Sequence, residues 1–282
     1  MRPSRRYIVF VHVMATIVAV VVLAPFAWLV ISSVASQGDL LARPLQWIPA
    51  HPSLRRYGDI FLGSGTSAAG AFRTALLNSV TVAVVTVAIA LTVGTLGAYA
   101  YARLRFPFRR TTLIVFLTTY MVPPIALVIP MYLIMARLHL LDTKAALIVV
   151  YCSFITPFVL WIMSNFFSTL PPDLEDAARV DGCTRLGAML RVMLPLAKPG
   201  LLATLLFGFL LCWDEFLYAL IFTSSLRSKT ITVAIAEFSG RHSVDFGLVA
   251  AGGILAALPP VIIAVLFQRY LLGGLAAGAV KG

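Results

Sequence analysis

Charge is the scarcest commodity in this chain. Aspartate and glutamate number only 11 among 282 residues, and charged residues of both signs make up 12% against 60% hydrophobic residues. Mean hydropathy is +0.96. A soluble globular domain carries about 25% charged residues, so that class is excluded. Lysine is rarer still. Lys144, Lys198, Lys229 and Lys281 follow Thr143, Ala197, Ser228 and Val280. A phosphate-binding P-loop needs Gly-Lys-Ser/Thr, so this chain cannot supply one. Cys152, Cys183 and Cys212 show no metal-site spacing and read as small packing residues. His12, His51, His139 and His242 are scattered, which argues against a membrane metalloenzyme. No internal repeat of fixed period is present.

What the chain has instead is long apolar runs. Residues 7–38, 74–102, 111–136, 145–172 and 246–268 contain no Asp, Glu, Lys or Arg. Each is long enough for the roughly 20 apolar residues of a spanning helix. A sixth run, residues 199–223, is interrupted by Asp214 and Glu215. Backbone polar groups within a bilayer must be satisfied inside each segment, so the expectation is an all-α integral membrane protein with six transmembrane helices. Arg2, Arg5 and Arg6 precede the first run as they would in a signal peptide. The run exceeds the usual signal core of about 7–15 residues, and it is expected to stay as a retained first helix.

Orientation follows from basic residues near the helix ends. With the N-terminus inside, the cytoplasmic face holds thirteen of the 22 Lys and Arg, including Arg103, Arg105, Arg109 and Arg110 in one short loop. Both termini are then cytoplasmic. The net charge of +11 is accounted for by this topology and by attraction to lipid headgroups. The basic residues are scattered over both faces, so a nucleic-acid partner is not expected.

The segment 33–72 is rich in Pro and Gly and reads as external turns and short surface helices, with Trp47 and Tyr57 near the headgroups. Pro123, Pro124 and Pro130 predict a kink or unwound turn in the third span. Gly94 and Gly97 in the second span, and Gly252 and Gly253 in the sixth, permit close helix packing.

Between the fourth and fifth apolar runs lies a polar segment, residues 171–199. After Pro171 and Pro172, Asp173–Val180 contains good helix formers and places acids in the first turn, where the helix dipole favours them. Asp181 and Gly182 signal a turn. Thr184 can cap a second short helix, Arg185–Met193, ending before Pro195. Ala177 and Ala178 leave a low-relief face for close approach of a partner, and Glu175 and Asp176 offer charge to basic groups on it. An amphipathic interfacial loop is the plainer alternative.

Glu175, Asp176, Ala177, Ala178, Asp181, Gly182, Leu194 and Pro195 together resemble the "EAA" loop of ABC importer permeases. In that family the loop is a cytoplasmic coupling helix that seats in a cleft of the ATP-hydrolysing subunit. Asp176 stands where the family often has a second Glu, and Cys183 where it often has Ala. The stretch from Cys212 to Tyr218 similarly resembles the "W-(N/D)-E-F" signature of carbohydrate importers of this type. Trp213 and Tyr218 are then candidates to stack on sugar rings, with Asp214 and Glu215 as hydroxyl acceptors. An acid at bilayer depth should face a cavity or a partner. Neighbouring residues point about 100° apart on a helix, so both acids cannot line one narrow path. Asn78 in the second span has a weaker claim of the same kind. The plainer reading puts Asp214 and Glu215 near the outer end of the helix, or pairs them with a sister permease.

The resemblance, which covers residues 72–282, implies a type I ABC importer permease fold of the carbohydrate, maltose-importer-like class. It divides the chain into a first helix and external segment (1–72), a core (73–270) carrying the coupling loop, and a cytoplasmic tail (271–282) reaching toward the paired ATPases. The implied partners are a second homologous permease, two ATP-binding subunits and an external substrate-binding protein or lipoprotein. The chain itself is then not an enzyme and carries no cofactor, since ATP and Mg are bound by the ATPase subunits. The location implied is the bacterial inner membrane. A secondary transporter coupling ions through Asp214 and Glu215 is the alternative, but it lacks the expected repeated halves and leaves the polar loop idle.

Overall fold

The computed structural model describes residues 4–44, 46–62, 68–239 and 245–279. All regular structure among them is helical. Four helices are long and apolar enough to cross a membrane: Arg5–Val34, Ala69–Arg103, Lys144–Thr169 and Phe246–Gln268. Two further pairs of helices are bent at short breaks, so the number rises to six if each pair is one span. Residues 1–73 and 234–257 form one compact unit, and residues 74–233 and 258–282 form another.

In the first unit, helix α1 (Arg5–Val34) starts at Ser4, whose side chain accepts from the Tyr7 N–H at 3.3 Å. None of its most apolar stretch is buried within the chain, as suits a helix surrounded by other apolar matter. Short α2 (Gln37–Leu41) is closed by a capping box between Ser36 and Asp39. Helix α3 (Arg55–Leu62) delivers Arg56 to the end of α1, where its guanidinium donates to the Ala35 carbonyl at 2.5 Å. The same group pairs with Asp245 at 3.0 Å, and Asp245 accepts from the Leu248 N–H at 3.1 Å. Arg56 thus satisfies carbonyls that the end of a helix leaves unpaired. Trp47 is exposed and meets Trp28 edge-on at 5.1 Å. The Tyr57 hydroxyl donates to Ser33 Oγ at 2.8 Å, near the end of α1.

The second unit is organised on α7 (Lys144–Thr169), whose Leu147, Tyr151, Ile155, Met163 and Phe167 are wholly buried. Helix α4 (Ala68–Arg103) approaches it closely at Gly94, where an added Cβ would stand 2.7 Å from Val159 Cγ1. Such contact supplies dispersion energy where lipid removes the apolar drive for association. Helices α5 (Arg109–Met121) and α6 (Pro124–Arg137) meet at 95° across Val122 and Pro123. The expected proline effect therefore falls at 122–123, whereas Pro130 sits inside continuous helix. Helix α8 (Asp173–Val180) is followed by α9 (Arg185–Ala188), a π-helical turn Met189–Met193, and α10 (Leu194–Leu196). The second loop helix does not end before Pro195. The π turn pairs the Leu194 N–H with the Met189 carbonyl, and proline needs no donor at the start of the next turn.

The fifth run is broken as well. Helix α11 (Lys198–Trp213) ends at Asp214, and helix α12 (Leu217–Phe222) begins two residues after Glu215. Helix α13 (Ile231–Ser239) and helix α14 (Phe246–Ala279) complete the chain.

The connection after α12 is locked. Asp142, at φ +58°, accepts from the backbone N–H groups of Ser224 and Ser225, each at 2.9 Å, and from the Ser228 hydroxyl. Burial pushes the Asp142 carboxyl up, but these serine donors outweigh it and hold it well below the usual carboxylate range.

Candidate functional site

Two places concentrate the chemistry of the second unit. The first is α8 and its turn. Gly182 takes φ +89°, a conformation costly for any residue with a Cβ, and its N–H bonds the Arg179 carbonyl at 3.1 Å. Thr184 Oγ1 then caps α9 by accepting from the Gly187 N–H at 3.1 Å. Asp173, Asp176, Ala177 and Val180, spaced i, i+3, i+4, i+7, form one exposed stripe, with Val180 88% accessible. Asp181, Gly182 and Pro195 are exposed too, and Leu194 is half-buried.

The opposite side of α8 buries Glu175 and Ala178. This corrects the expectation that Glu175 offers its charge outward. Its carboxylate accepts from the Tyr99 hydroxyl at 2.6 Å and lies 3.8 Å from Arg103 Nε. Arg103 in turn donates to the Leu170 carbonyl at 2.6 Å. Both charged side chains are about nine-tenths covered, the regime in which losing one partner strands the other. Glu175 is therefore the bolt that holds α8 against the end of α4. Ala178 likewise faces inward, so only Ala177 of the alanine pair is on the open side.

The second place is a cavity of about 1060 Å³. Its wall includes Tyr101, Tyr120, Phe154, Thr156, Glu215 and Tyr218. Residues from both broken spans reach it, Val122 and Pro124 at one break and Glu215 at the other. Tyr218 ties the two together by donating to the Pro124 carbonyl at 3.3 Å. Glu215 accepts from the Tyr151 hydroxyl at 2.6 Å and from the N–H groups of Tyr218 and Ala219 at 2.9 and 3.2 Å. It thus caps α12, where a carboxylate meets unpaired donors and the positive end of the helix.

The sequence candidates separate here. Glu215 and Tyr218 line the cavity, whereas Trp213, Asp214 and Asn78 are not among its lining residues. Trp213 is buried and stacks on Phe209 at 5.3 Å, so it does not present a platform to the cavity. Asp214 is exposed at the end of α11. Asp214 and Glu215 are not held 100° apart by a helix, because residues 214–216 are not helical. Asn78 is buried and donates to the carbonyls of Leu226 and Lys229 at 2.9 and 3.0 Å. It braces a connection. Tyr99, Arg103 and Tyr151 were missed from sequence. In sequence Arg103 is one of four arginines in a short basic loop, and tyrosines in apolar runs give no sign of which carboxylate they meet.

Membrane-length helices, a broad cavity within the second unit and a structured polar loop are the features of a multi-pass membrane transport protein. More particularly, the chain belongs to the family of binding-protein-dependent transport system inner membrane components, which matches residues 90–275. It is 33% identical to the sulfoquinovosyl glycerol transport system permease protein SmoH of Agrobacterium fabrum, over 95% of this chain and 92% of that one. It is 34% identical to the trehalose/maltose transport system permease protein MalG of Thermococcus litoralis, over 95% of each. With the trehalose transport system permease protein SugB of Mycobacterium tuberculosis it shares 36% identity over 96% of each. Among solved structures, a chain of a bacterial ABC transporter involved in the import of the acidic polysaccharide alginate superposes with a TM-score of 0.80 at 22% identity. That likeness covers 96% of this chain and 99% of the other and carries the fold. The protein is thus a bacterial membrane permease subunit with the type I ABC importer fold, and not an enzyme.

Proposed function

We propose that this chain forms half of the translocation path of an ATP-driven carbohydrate importer and receives the ATPase stroke through α8. The exposed stripe Asp173, Asp176, Ala177, Val180 carries the reading. It pairs small and apolar surface with acids on a helix whose reverse side is bolted to a spanning helix. A subunit seated on that stripe would move α4 with it. Asp181 and Gly182 set the turn, and Leu194 and Pro195 set the re-entry into the fifth span. The termini and this loop are cytoplasmic, in keeping with the bias of basic residues. The assembly contains a second homologous permease, two ATP-binding subunits that hold ATP and Mg, and an external substrate-binding protein.

The cargo class rests on relatives named for trehalose, maltose and sulfoquinovosyl glycerol. The cavity wall supports it. Tyrosine rings offer flat apolar faces, and Glu215 and Thr156 offer polar groups at hydrogen-bonding range of a guest. Closure of the ATPase dimer turns the cavity outward to accept sugar, and hydrolysis returns it inward. Because coupling between sites is reciprocal, loaded binding protein stimulates hydrolysis.

The test is Gly182→Pro. Proline cannot adopt the positive φ and removes the N–H to Arg179, so the α8 turn is lost. Sugar uptake and binding-protein-stimulated ATP hydrolysis should fall at least about tenfold, as expected when about 1.4 kcal/mol or more of docking energy is removed. Undiminished uptake in a fully assembled complex would refute the role of α8.

A further inference from the structure

A second, strongly polar pocket of about 590 Å³ lies where α4 ends, α5 begins and α8 packs. Arg103, Arg105, Arg109, Arg179 and Arg185 line it, against Glu175 and Asp176. Arg103 is committed to Glu175 and the Leu170 carbonyl. Among the described residues, Arg105, Arg109, Arg179 and Arg185 form no ion pair. Four cations therefore share a concave site with one uncommitted carboxylate, that of Asp176. Their mutual repulsion is relieved by an anion with several oxygens, and guanidinium forks match phosphate geometry.

The position indicates the source. The charge-free run of α4 ends just before Arg103 and the next begins just after Arg110, so the pocket lies at the polar ends of two apolar spans, on the side where headgroups meet the chain. Phe106 and Phe108 are exposed between these arginines, and Phe108 is 77% accessible. Such apolar rings beside cations suit the boundary between headgroup and acyl chain. We propose that this pocket is a phosphate-recognition site that takes the headgroup of an anionic phospholipid. A lipid held there touches α8 and the α4–α5 connection together, so membrane charge bears on the position of α8. The proposal does not depend on the carbohydrate reading.

The test uses the purified full chain in nanodiscs of phosphatidylcholine with or without phosphatidylglycerol, with retained lipid read by native mass spectrometry. The wild type should retain phosphatidylglycerol, and Arg105→Gln/Arg109→Gln/Arg179→Gln should retain on the order of a hundredfold less, since three basic residues near a membrane surface contribute about 1 kcal/mol each and every 1.4 kcal/mol is tenfold. Arg55→Gln, an exposed arginine elsewhere, serves as control and should leave retention unchanged. A matching loss in that control would overturn the site in favour of diffuse attraction. Inorganic phosphate added to lipid-free protein separates the sources. Thermal stabilisation by phosphate that vanishes in the triple variant, with equal lipid retention by wild type and variant, assigns the site to a soluble anion and overturns the headgroup reading. If the triple variant unfolds, Arg179→Gln alone should weaken retention in a salt-dependent manner. Equal lipid retention by wild type and variants, with no response to phosphate, overturns the proposal. So does loss of ATPase co-purification with lipid retention unchanged, which would give the arginines to the protein partner.

Discussion

Glu175 and Glu215 make the same contact in two different places, and the comparison separates an ion-paired joint from a capped break. Each carboxylate accepts a tyrosine hydroxyl at 2.6 Å, Tyr99 in one case and Tyr151 in the other. Glu175 is also matched to a cation, Arg103, and joins a loop helix to a long helix. Glu215 is matched to the open N–H groups of α12 and joins two pieces of a broken helix beside a cavity. A rigid ion-paired joint suits transmission of force. A break held by neutral donors keeps Glu215 in an apolar wall with no ion pair among the described residues, which under the proposed function leaves a lone pair for a guest.

The comparison is broken most forcefully at the ion-paired joint. Glu175→Ala strands Arg103 and the Tyr99 hydroxyl, and loss of one member of a buried pair costs about 3–5 kcal/mol. The full chain should unfold at clearly lower temperature and bind its ATPase poorly, with Glu175→Gln recovering part of the stability by keeping the tyrosine bond. Equal melting temperatures for wild type and Glu175→Ala would show that the joint contributes nothing.

Glu215→Leu should cost less, because its partners are neutral. The Tyr151 hydroxyl left unmatched in an apolar wall costs about 1–3 kcal/mol, and loss of the cap on the Tyr218 and Ala219 N–H groups about 1 kcal/mol more. Here the separation of readouts matters. Glu215→Gln should restore stability but not the apparent affinity for sugar in uptake assays. Full recovery of both by Gln would confine Glu215 to a capping role and leave the cavity without its polar anchor.

The smallest effect lies outside both sites. Asp142 is held below the usual carboxylate range, so the stability it adds is complete above that range and is lost as pH falls through its folded-state value. Acid unfolding of wild type should therefore be steeper at the acidic extreme than that of Asp142→Asn. Parallel acid limbs would show that the serine latch adds no pH-dependent stability.

How legible these features were depends on how local their causes are. The spans could be read because one charge at bilayer depth costs more than any local preference can offset, and the long charge-free runs obey that cost. The break at Val122 and Pro123 was half legible: proline marks the lost donor, but three prolines stood within eight residues and only packing selected the pair at 123 and 124. The polar loop was legible in outline because Asp181, Gly182 and Thr184 act on their own backbone. The inward turn of Glu175 was not, since its cause is a tyrosine 76 positions earlier. The same holds for Asn78, whose partners lie 148 and 151 positions away.

The sequence by itself determined that this protein lives in a membrane, that it cannot hold ATP in a P-loop of its own, and where its polar loop turns. Those properties follow from composition and from interactions within a few residues. Only the tertiary structure decided which acid of the loop is a bolt and which faces out, that Glu215 rather than Asp214 meets the cavity, and that five arginines share one pocket. Hydrogen bonds and ion pairs act over about 3–4 Å, and the folded chain alone sets which distant groups come that close.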